Sequence, residues 1–105
     1  MKIVDKGTTK NGIKIQLEYW ENSGLKIGAY PIAKNTSEFG WIKSGESFRL
    51  IIASNKYMHY TDEDVKADYQ ALKDGEKTLK DLSKHFWNGR KDMFILGMIE
   101  KHEIN

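Results

Sequence analysis

The chain has 105 residues, of which 39% are hydrophobic and 30% charged, and this size and composition indicate a folded globular protein rather than a disordered one. It contains no cysteine, which excludes a disulfide framework, a thiol nucleophile and a thiolate zinc site. The formal net charge of +2 is too small to indicate a polyanionic partner by itself.

No stretch rich in Pro, Gly or Ser divides the sequence, so we predict a single domain over residues 1–105, with a sheet over about 2–57 and a helical part over about 62–101. The first residues lack the apolar core of a signal peptide, and the longest apolar run, residues 93–99, is too short to cross a bilayer. We therefore expect a cytoplasmic protein with no membrane partner.

Period-two alternation predicts the first strands. Ile3 and Val4 begin a short strand, and Asn11 and Gly12 supply a hairpin turn. Apolar and polar residues then alternate over 13–20 and again over 25–30, with a turn at 21–24. Pro31 cannot donate a hydrogen bond to a neighbouring strand, so the second of these strands ends near it or lies at an edge.

The next strands are predicted from apolar runs. Residues 47–53 are apolar on both alternations except at Arg49, which is typical of a central strand. The shorter segment 39–42 is a candidate fifth strand. Residues 57–60 either continue the strand that ends at Ala53 or form a separate extended connection into the helix.

Residues 61–87 carry an apolar helical face. Thr61 and Asp64 predict a capped helix start. The apolar phase continues across Gly75, so we favour one long helix, bent or straight, over two helices. The positions that define the phase have heptad spacing: Val65, Leu72, Leu79 and Phe86.

The predicted fold is therefore α+β. An antiparallel meander of four or five strands is followed by a long C-terminal helix packed on one sheet face. A short apolar terminal element follows, which we predict as a helix over about 93–101, with a buried strand as the alternative. If the long helix is continuous, one stripe of it carries lysines, and a solvated face explains this stripe more simply than a nucleic acid partner does: Lys66, Lys73, Lys77, Lys80 and Lys84.

No catalytic, cofactor or metal motif is present. No serine lies in a G-x-S-x-G sequence, no glycine-rich phosphate loop occurs, and the three histidines are far apart in sequence. We predict a protein that is not an enzyme, with no catalytic residues, no cofactor and no metal site.

Our leading functional hypothesis is a small binding or accessory protein that acts through a protein–protein contact, with a partner protein or a second copy of itself. Its basis is the apolar surface near the C-terminus, although the same residues could instead complete the core. The candidate contact residues are Phe86, Trp87, Met93, Phe94 and Met98.

The alternative hypothesis is single-stranded nucleic acid binding through a basic, aromatic sheet face. Proteins of this kind stack bases on exposed aromatic rings and line the groove with Lys or Arg. The candidate residues are Trp20, Tyr30, Trp41, Lys43, Arg49, Lys56 and Tyr57. A row of exposed aromatics on the face opposite the helix favours nucleic acid, whereas a covered face favours the protein contact.

Overall fold

The computed structural model describes residues 1–10, 12–29 and 49–86, which form a four-stranded antiparallel sheet with an α-helix packed on one face. Each strand pairs with the next in the chain, so the predicted α+β meander is confirmed. The candidate strand 39–42 and the terminal element lie outside the described residues. The strands are Lys2–Thr8 (β1), Lys14–Trp20 (β2), Gly24–Ala29 (β3) and Leu50–Ala53 (β4).

Both predicted hairpin turns are present. The Gly12 N–H donates to the Thr9 carbonyl at 3.0 Å, and the Ser23 N–H donates to the Trp20 carbonyl at 3.0 Å. Gly12 and Gly24 have φ values of 86° and 83°, a left-handed conformation that glycine adopts without a Cβ clash. These turns fix the register that sends alternate side chains to opposite faces.

The core lies between the sheet and the helix. Cross-strand pairs place Leu17 beside Ile27 and Ile27 beside Ile52, and all of these side chains are buried. The described members of this core contributed by the strands are Ile15, Leu17, Leu25, Ile27, Ala29, Leu50 and Ile52. The alternation read from the sequence therefore identifies the face that the helix covers.

A short separate connection joins β4 to the helix, but it is helical at its start rather than extended as we expected for residues 57–60. The strand stops at Ala53, and a 3₁₀ helix, Lys56–Met58, follows. The Asn55 side-chain oxygen caps it by accepting from the Tyr57 N–H at 2.9 Å. An antiparallel bridge between Asn55 and Tyr60 closes the loop.

The α-helix, Asp62–Asp74 (α1), begins as predicted. The Asp64 N–H donates to Thr61 Oγ1 at 3.2 Å, and the Thr61 N–H donates to Asp64 Oδ2 at 2.9 Å, which completes a capping box. Three acidic residues in the first turn face the positive end of the helix dipole. Val65, Tyr69 and Leu72 bury the apolar face against the sheet.

The prediction of one long helix is wrong. Helix α1 ends at Asp74 because Gly75 adopts the left-handed conformation, with φ 79°, and its N–H donates back into the last turn. A 3₁₀ helix, Lys80–His85, follows instead of a continued α-helix. Leu79 and Leu82 are still buried, so the heptad spacing correctly indicated which side chains enter the core but not the backbone path.

The segment after the break has its own start signal, which sequence reasoning missed. The Thr78 N–H donates to Asp81 Oδ2 at 2.8 Å, and the Asp81 N–H donates to Thr78 Oγ1 at 3.2 Å. This is the same Thr-x-x-Asp arrangement that starts α1 at Thr61. A repeated capping pattern three residues after a glycine was therefore the available evidence for a second helical segment.

The lysine stripe does not exist as predicted, because the helix that would align it stops at Asp74. Two of its members contact carboxylates on different parts of the molecule. Lys73 Nζ lies 3.0 Å from Asp5 Oδ2 on β1, and Lys77 Nζ lies 2.7 Å from Asp68 Oδ1 on α1.

Candidate protein-contact site

The sheet face opposite α1 carries a buried carboxylate. Glu18 is fully buried and accepts hydrogen bonds from Gln16 Nε2 at 2.5 Å and from Trp20 Nε1 at 2.8 Å. The Arg49 guanidinium donates to the same carboxylate. Burial opposes ionisation of Glu18, but these three donors outweigh it and hold the pKa of the carboxyl below its usual value.

Gly28 provides the space that this group needs. A Cβ at position 28 would lie 2.5 Å from Glu18 Oε2 and 3.1 Å from Arg49 Nη2. Gly28 lies next to Gln16 across the β2–β3 pairing, on the same face as Glu18. The absence of a side chain there allows the ion pair to lie flat against the sheet.

Two of the four described residues of the predicted nucleic acid surface, Trp20 and Arg49, are engaged with the buried Glu18. Trp20 is half-buried, donates to Glu18 and lies under Lys26 Nζ, which is 4.6 Å from the ring centroid. Arg49 pairs with Glu18. Tyr57 is 85% exposed, with Lys56 Nζ 5.3 Å from its ring, but both belong to the 3₁₀ helix rather than to the sheet.

The middle of this sheet face is buried, whereas Lys14 at its edge is exposed. Gln16, Glu18 and Lys26 are each no more than 4% exposed, although all three point away from α1. The exposure of aromatics on this face, which would distinguish the two functional hypotheses, is described only for Trp20, which is half-buried. The other candidate nucleic acid residues lie outside the described residues: Tyr30, Trp41 and Lys43.

Phe86 is the only member of the predicted protein-contact set within the described residues. Its side chain is half-buried and packs against the core, and its backbone forms an antiparallel bridge with Ile52 of β4. Phe86 therefore extends the core along the edge of β4. The other candidates lie outside the described residues: Trp87, Met93, Phe94 and Met98.

A different apolar surface is exposed at the opposite edge of the sheet, and sequence reasoning missed it. We call it the β1 corner, and its side chains are 41–63% exposed: Met1, Ile3, Val4 and Tyr19. Ile3, Val4 and Tyr19 line a groove of about 600 Å³, together with Leu25 and the first turns of α1. A groove of this volume falls within the range of sites that bind small ligands or peptide side chains.

The diagonal path of α1 leaves this corner uncovered. At its N-terminus, Asp62 Oδ1 accepts from the Leu25 N–H on β3 at 3.0 Å. Two turns later the helix has reached β1, where the Tyr69 hydroxyl donates to Asp5 Oδ2 at 2.9 Å. The bonds from Lys73 and Tyr69 hold the pKa of Asp5 below its usual value. The helix thus crosses from β3 to β1 and leaves the ends of β1 and β2 open.

The walls of the groove carry both signs of charge. Lys2 lies on the strand side, and Asp62, Glu63 and Lys66 lie on the helix side. Lys66 Nζ is 3.7 Å from Glu63 Oε1, in a solvent-exposed pair that contributes little to stability. The groove therefore combines an apolar floor with charged groups of both signs at its rim.

Strand β1 is also an outer strand of the sheet, with β2 as its neighbour. Its pairing register shifts between Ile3 and Asp5, so that Val4 is the extra residue of a bulge. A bulge twists an edge strand and discourages long edge-to-edge pairing between two copies of a chain. The signal in the sequence was the consecutive pair Ile3–Val4, which a strand with one buried face does not need.

Comparisons with protein-family models, with curated proteins and with solved structures give no match for this chain. Within the described ranges, no helix is long and apolar enough to cross a membrane. Among the same residues, no three His, Asp or Glu side chains are grouped so that they could hold a metal ion. Functional inference therefore rests on the surface of the molecule itself.

Proposed function

We propose that this protein is a small, non-enzymatic binding protein that acts through a protein–protein contact at the β1 corner. The observation that supports the proposal is the set of exposed apolar side chains at this corner, of which Ile3, Val4 and Tyr19 line the groove between the sheet and α1. Apolar side chains in a contiguous, concave patch lower the free energy when a partner removes them from water.

The partner that fits is an extended peptide segment of another protein. A stable contact between two globular proteins buries roughly 800 Å² on each side and about 20 residues or more, which four apolar side chains and their rim do not supply. A short segment needs less surface, because a few apolar anchors in a groove carry most of its binding free energy. Among the described strands β1 pairs with β2 alone, so its other edge offers main-chain hydrogen bonds beyond the bulge to such a segment.

The C-terminal residues named from the sequence remain part of the hypothesis, except that Phe86 is half-buried against the core and bridged to Ile52. Single-stranded nucleic acid binding remains a prediction. Among the described residues its support is reduced to Lys56 and Tyr57, because Trp20 and Arg49 have partners inside the protein.

The test is a selection of peptides of about ten residues, displayed as a random library, against the immobilised wild-type protein, since a strand segment of that length spans a peptide groove. Selected peptides are then titrated into the wild-type protein, the Val4→Thr/Tyr19→Thr variant and the Tyr57→Thr control. Thr keeps the strand propensity of both corner positions while removing apolar surface. Tyr57 is an exposed tyrosine of the 3₁₀ helix and does not line the groove.

We expect enriched peptides to bind the wild-type protein and Tyr57→Thr equally and to lose at least about tenfold in affinity for the double variant, as expected for removal of two anchors. Equal affinity for the double variant, or the absence of any enriched peptide, would contradict the proposal.

A further inference from the structure

A second concave site lies at the end of the sheet where β3 and β4 meet the two 3₁₀ helices. It is a cavity of about 290 Å³, close to the lower limit for small-molecule sites. It is separate from the β1 corner, since the two share no lining residue. Its described polar lining is Ser23, Lys26, Ser54, Asn55, Lys84 and His85.

The described polar groups of this cavity are rich in hydrogen-bond donors. Lys84 contributes an ammonium group, which can only donate. The Ser54 hydroxyl donates to the Ser23 carbonyl at 3.4 Å, so the hydroxyl that faces a ligand is that of Ser23. The Asn55 side-chain oxygen is occupied by the Tyr57 N–H, so its NH₂ group is the part left to contact a ligand. None of the lining residues in the described ranges is Asp or Glu.

The back wall is held in place by contacts within the protein. The His85 ring stacks on the Tyr60 ring with centroids 3.5 Å apart and an interplanar angle of 5°. The Tyr60 hydroxyl in turn donates to Asp68 Oδ2 at 2.8 Å. His85 Nδ1 is buried and has no hydrogen-bond partner in the described part of the chain, which is unusual for a buried polar atom.

Lys26 is the deepest of these groups, with 2% of its surface exposed. Burial lowers the pKa of its ammonium group, and the nearby Glu18 carboxylate acts in the opposite direction. Lys84 is exposed at the mouth of the cavity. The Lys26 ammonium group itself lies over the Trp20 ring, 4.6 Å from its centroid, so Lys26 forms part of the wall and its charge is engaged within the protein. A ligand would therefore meet the Lys84 ammonium group at the mouth, together with the Asn55 carboxamide.

We propose that this cavity binds a small phosphate-bearing molecule. A phosphate group presents several strong acceptor oxygens in different directions, which matches ammonium, hydroxyl and amide donors that come from the turn before β3, the segment after β4 and the 3₁₀ helix Lys80–His85. A carboxylate offers two acceptor oxygens in one plane and would use fewer of these donors.

The experiment is a titration of the ¹⁵N-labelled protein with inorganic phosphate and, separately, with acetate at equal ionic strength, followed by amide chemical shifts. We expect saturable shifts at Ser54, Asn55, Lys84 and His85, with tighter binding of phosphate than of acetate. Shifts that stay linear in phosphate concentration and are spread over all lysines would overturn the proposal. Equal affinity for acetate would overturn the assignment to phosphate.

Two variants and one control sharpen the test. Asn55→Asp keeps the oxygen that accepts from the Tyr57 N–H but replaces the donor with a negative oxygen, so phosphate affinity should fall by more than about tenfold. Lys84→Ala should weaken binding about threefold, as expected for one exposed charge. Lys6→Ala removes an exposed charge on β1 and should leave binding unchanged. If Asn55→Asp fails to fold, the other two variants still test the proposal. Equal phosphate affinities of Lys84→Ala and Lys6→Ala would show that phosphate does not bind in this cavity.

Discussion

Arg49 donates a hydrogen bond to the carboxylate of Glu18 on the sheet face that α1 does not cover, and this pair links the start of β4 to the middle of β2 across β3. Glu18 is fully buried, whereas 38% of the Arg49 side chain is exposed. The carboxylate is thus the partner whose charge depends on the protein environment.

Replacement of Glu18 by Gln tests that dependence. The variant keeps the shape of the side chain but removes the charge that three donors stabilise. We expect the free energy of unfolding to fall by about 2 kcal/mol. This loss is smaller than for a fully buried ion pair, because Arg49 is partly exposed. Urea denaturation of the wild-type protein and the variant measures this difference in the free energy of unfolding. Glu63→Gln breaks the exposed pair with Lys66 and should cost less than about 0.5 kcal/mol. Equal losses for the two variants would show that burial adds nothing to the Glu18 pair.

Gly28→Ala tests the space beneath this pair. The added methyl group would lie 2.5 Å from Glu18 Oε2, and the neighbouring donors hold that oxygen in place. We expect a loss of about 1–3 kcal/mol in the free energy of unfolding, typical of overpacking. In a Glu18→Ala background the same substitution should cost much less. Additive losses in the double variant would indicate that Gly28 is needed for another reason.

Glu18 also predicts a pH dependence of stability. Its pKa is lower in the folded protein than in the unfolded chain, so the unfolded chain binds the proton more readily. The stabilisation from Glu18 is therefore complete above the unfolded pKa and is lost as the pH falls through the folded pKa. Denaturation series from about pH 7 to about pH 3 should show a larger loss for the wild-type protein than for Glu18→Gln. If the free energy of unfolding falls with pH by the same amount in both proteins, Glu18 is not the group responsible for the loss.

Gly75→Ala distinguishes a capped helix from a continuous one by the sign of its effect. In the middle of a helix, Ala is more stable than Gly by about 1 kcal/mol. At a position with φ 79°, however, a Cβ is strained, and we expect a loss of about 1 kcal/mol instead. Thermal or urea denaturation decides between the two. A stabilised variant would favour the long helix expected from the heptad spacing.

The sequence predicted the parts of the fold that depend on local chemistry. Alternation identified β2 and β3, Gly12 marked its turn, and the pair Thr61–Asp64 located the start of α1. It failed at Gly75, because burial of Leu79 and Leu82 is compatible with either backbone path. Side-chain periodicity reports which residues are buried and does not report the dihedral angles between them.

The candidate site was harder to predict for a different reason. Tyr19 lies on the apolar phase of β2, in line with the buried Leu17, and nothing in the local pattern distinguishes the two. Their difference in exposure depends on the angle at which α1 crosses the sheet, which involves contacts between residues far apart in the chain, such as Tyr69 with Asp5. Local patterns likewise could not predict the pairing of Glu18 with Arg49, because the two residues are 31 positions apart in the chain.

The most direct measurement of the β1 corner as a binding surface is a titration of the ¹⁵N-labelled protein with a selected peptide, mapped by amide chemical shifts. We predict saturable shifts at Ile3, Val4, Tyr19 and Leu25 that disappear in the Val4→Thr/Tyr19→Thr variant. The free energy of unfolding of that variant should change by less than about 1 kcal/mol, as is usual for exposed positions. Shifts that map elsewhere, or that persist in the double variant, would contradict the protein contact at this corner.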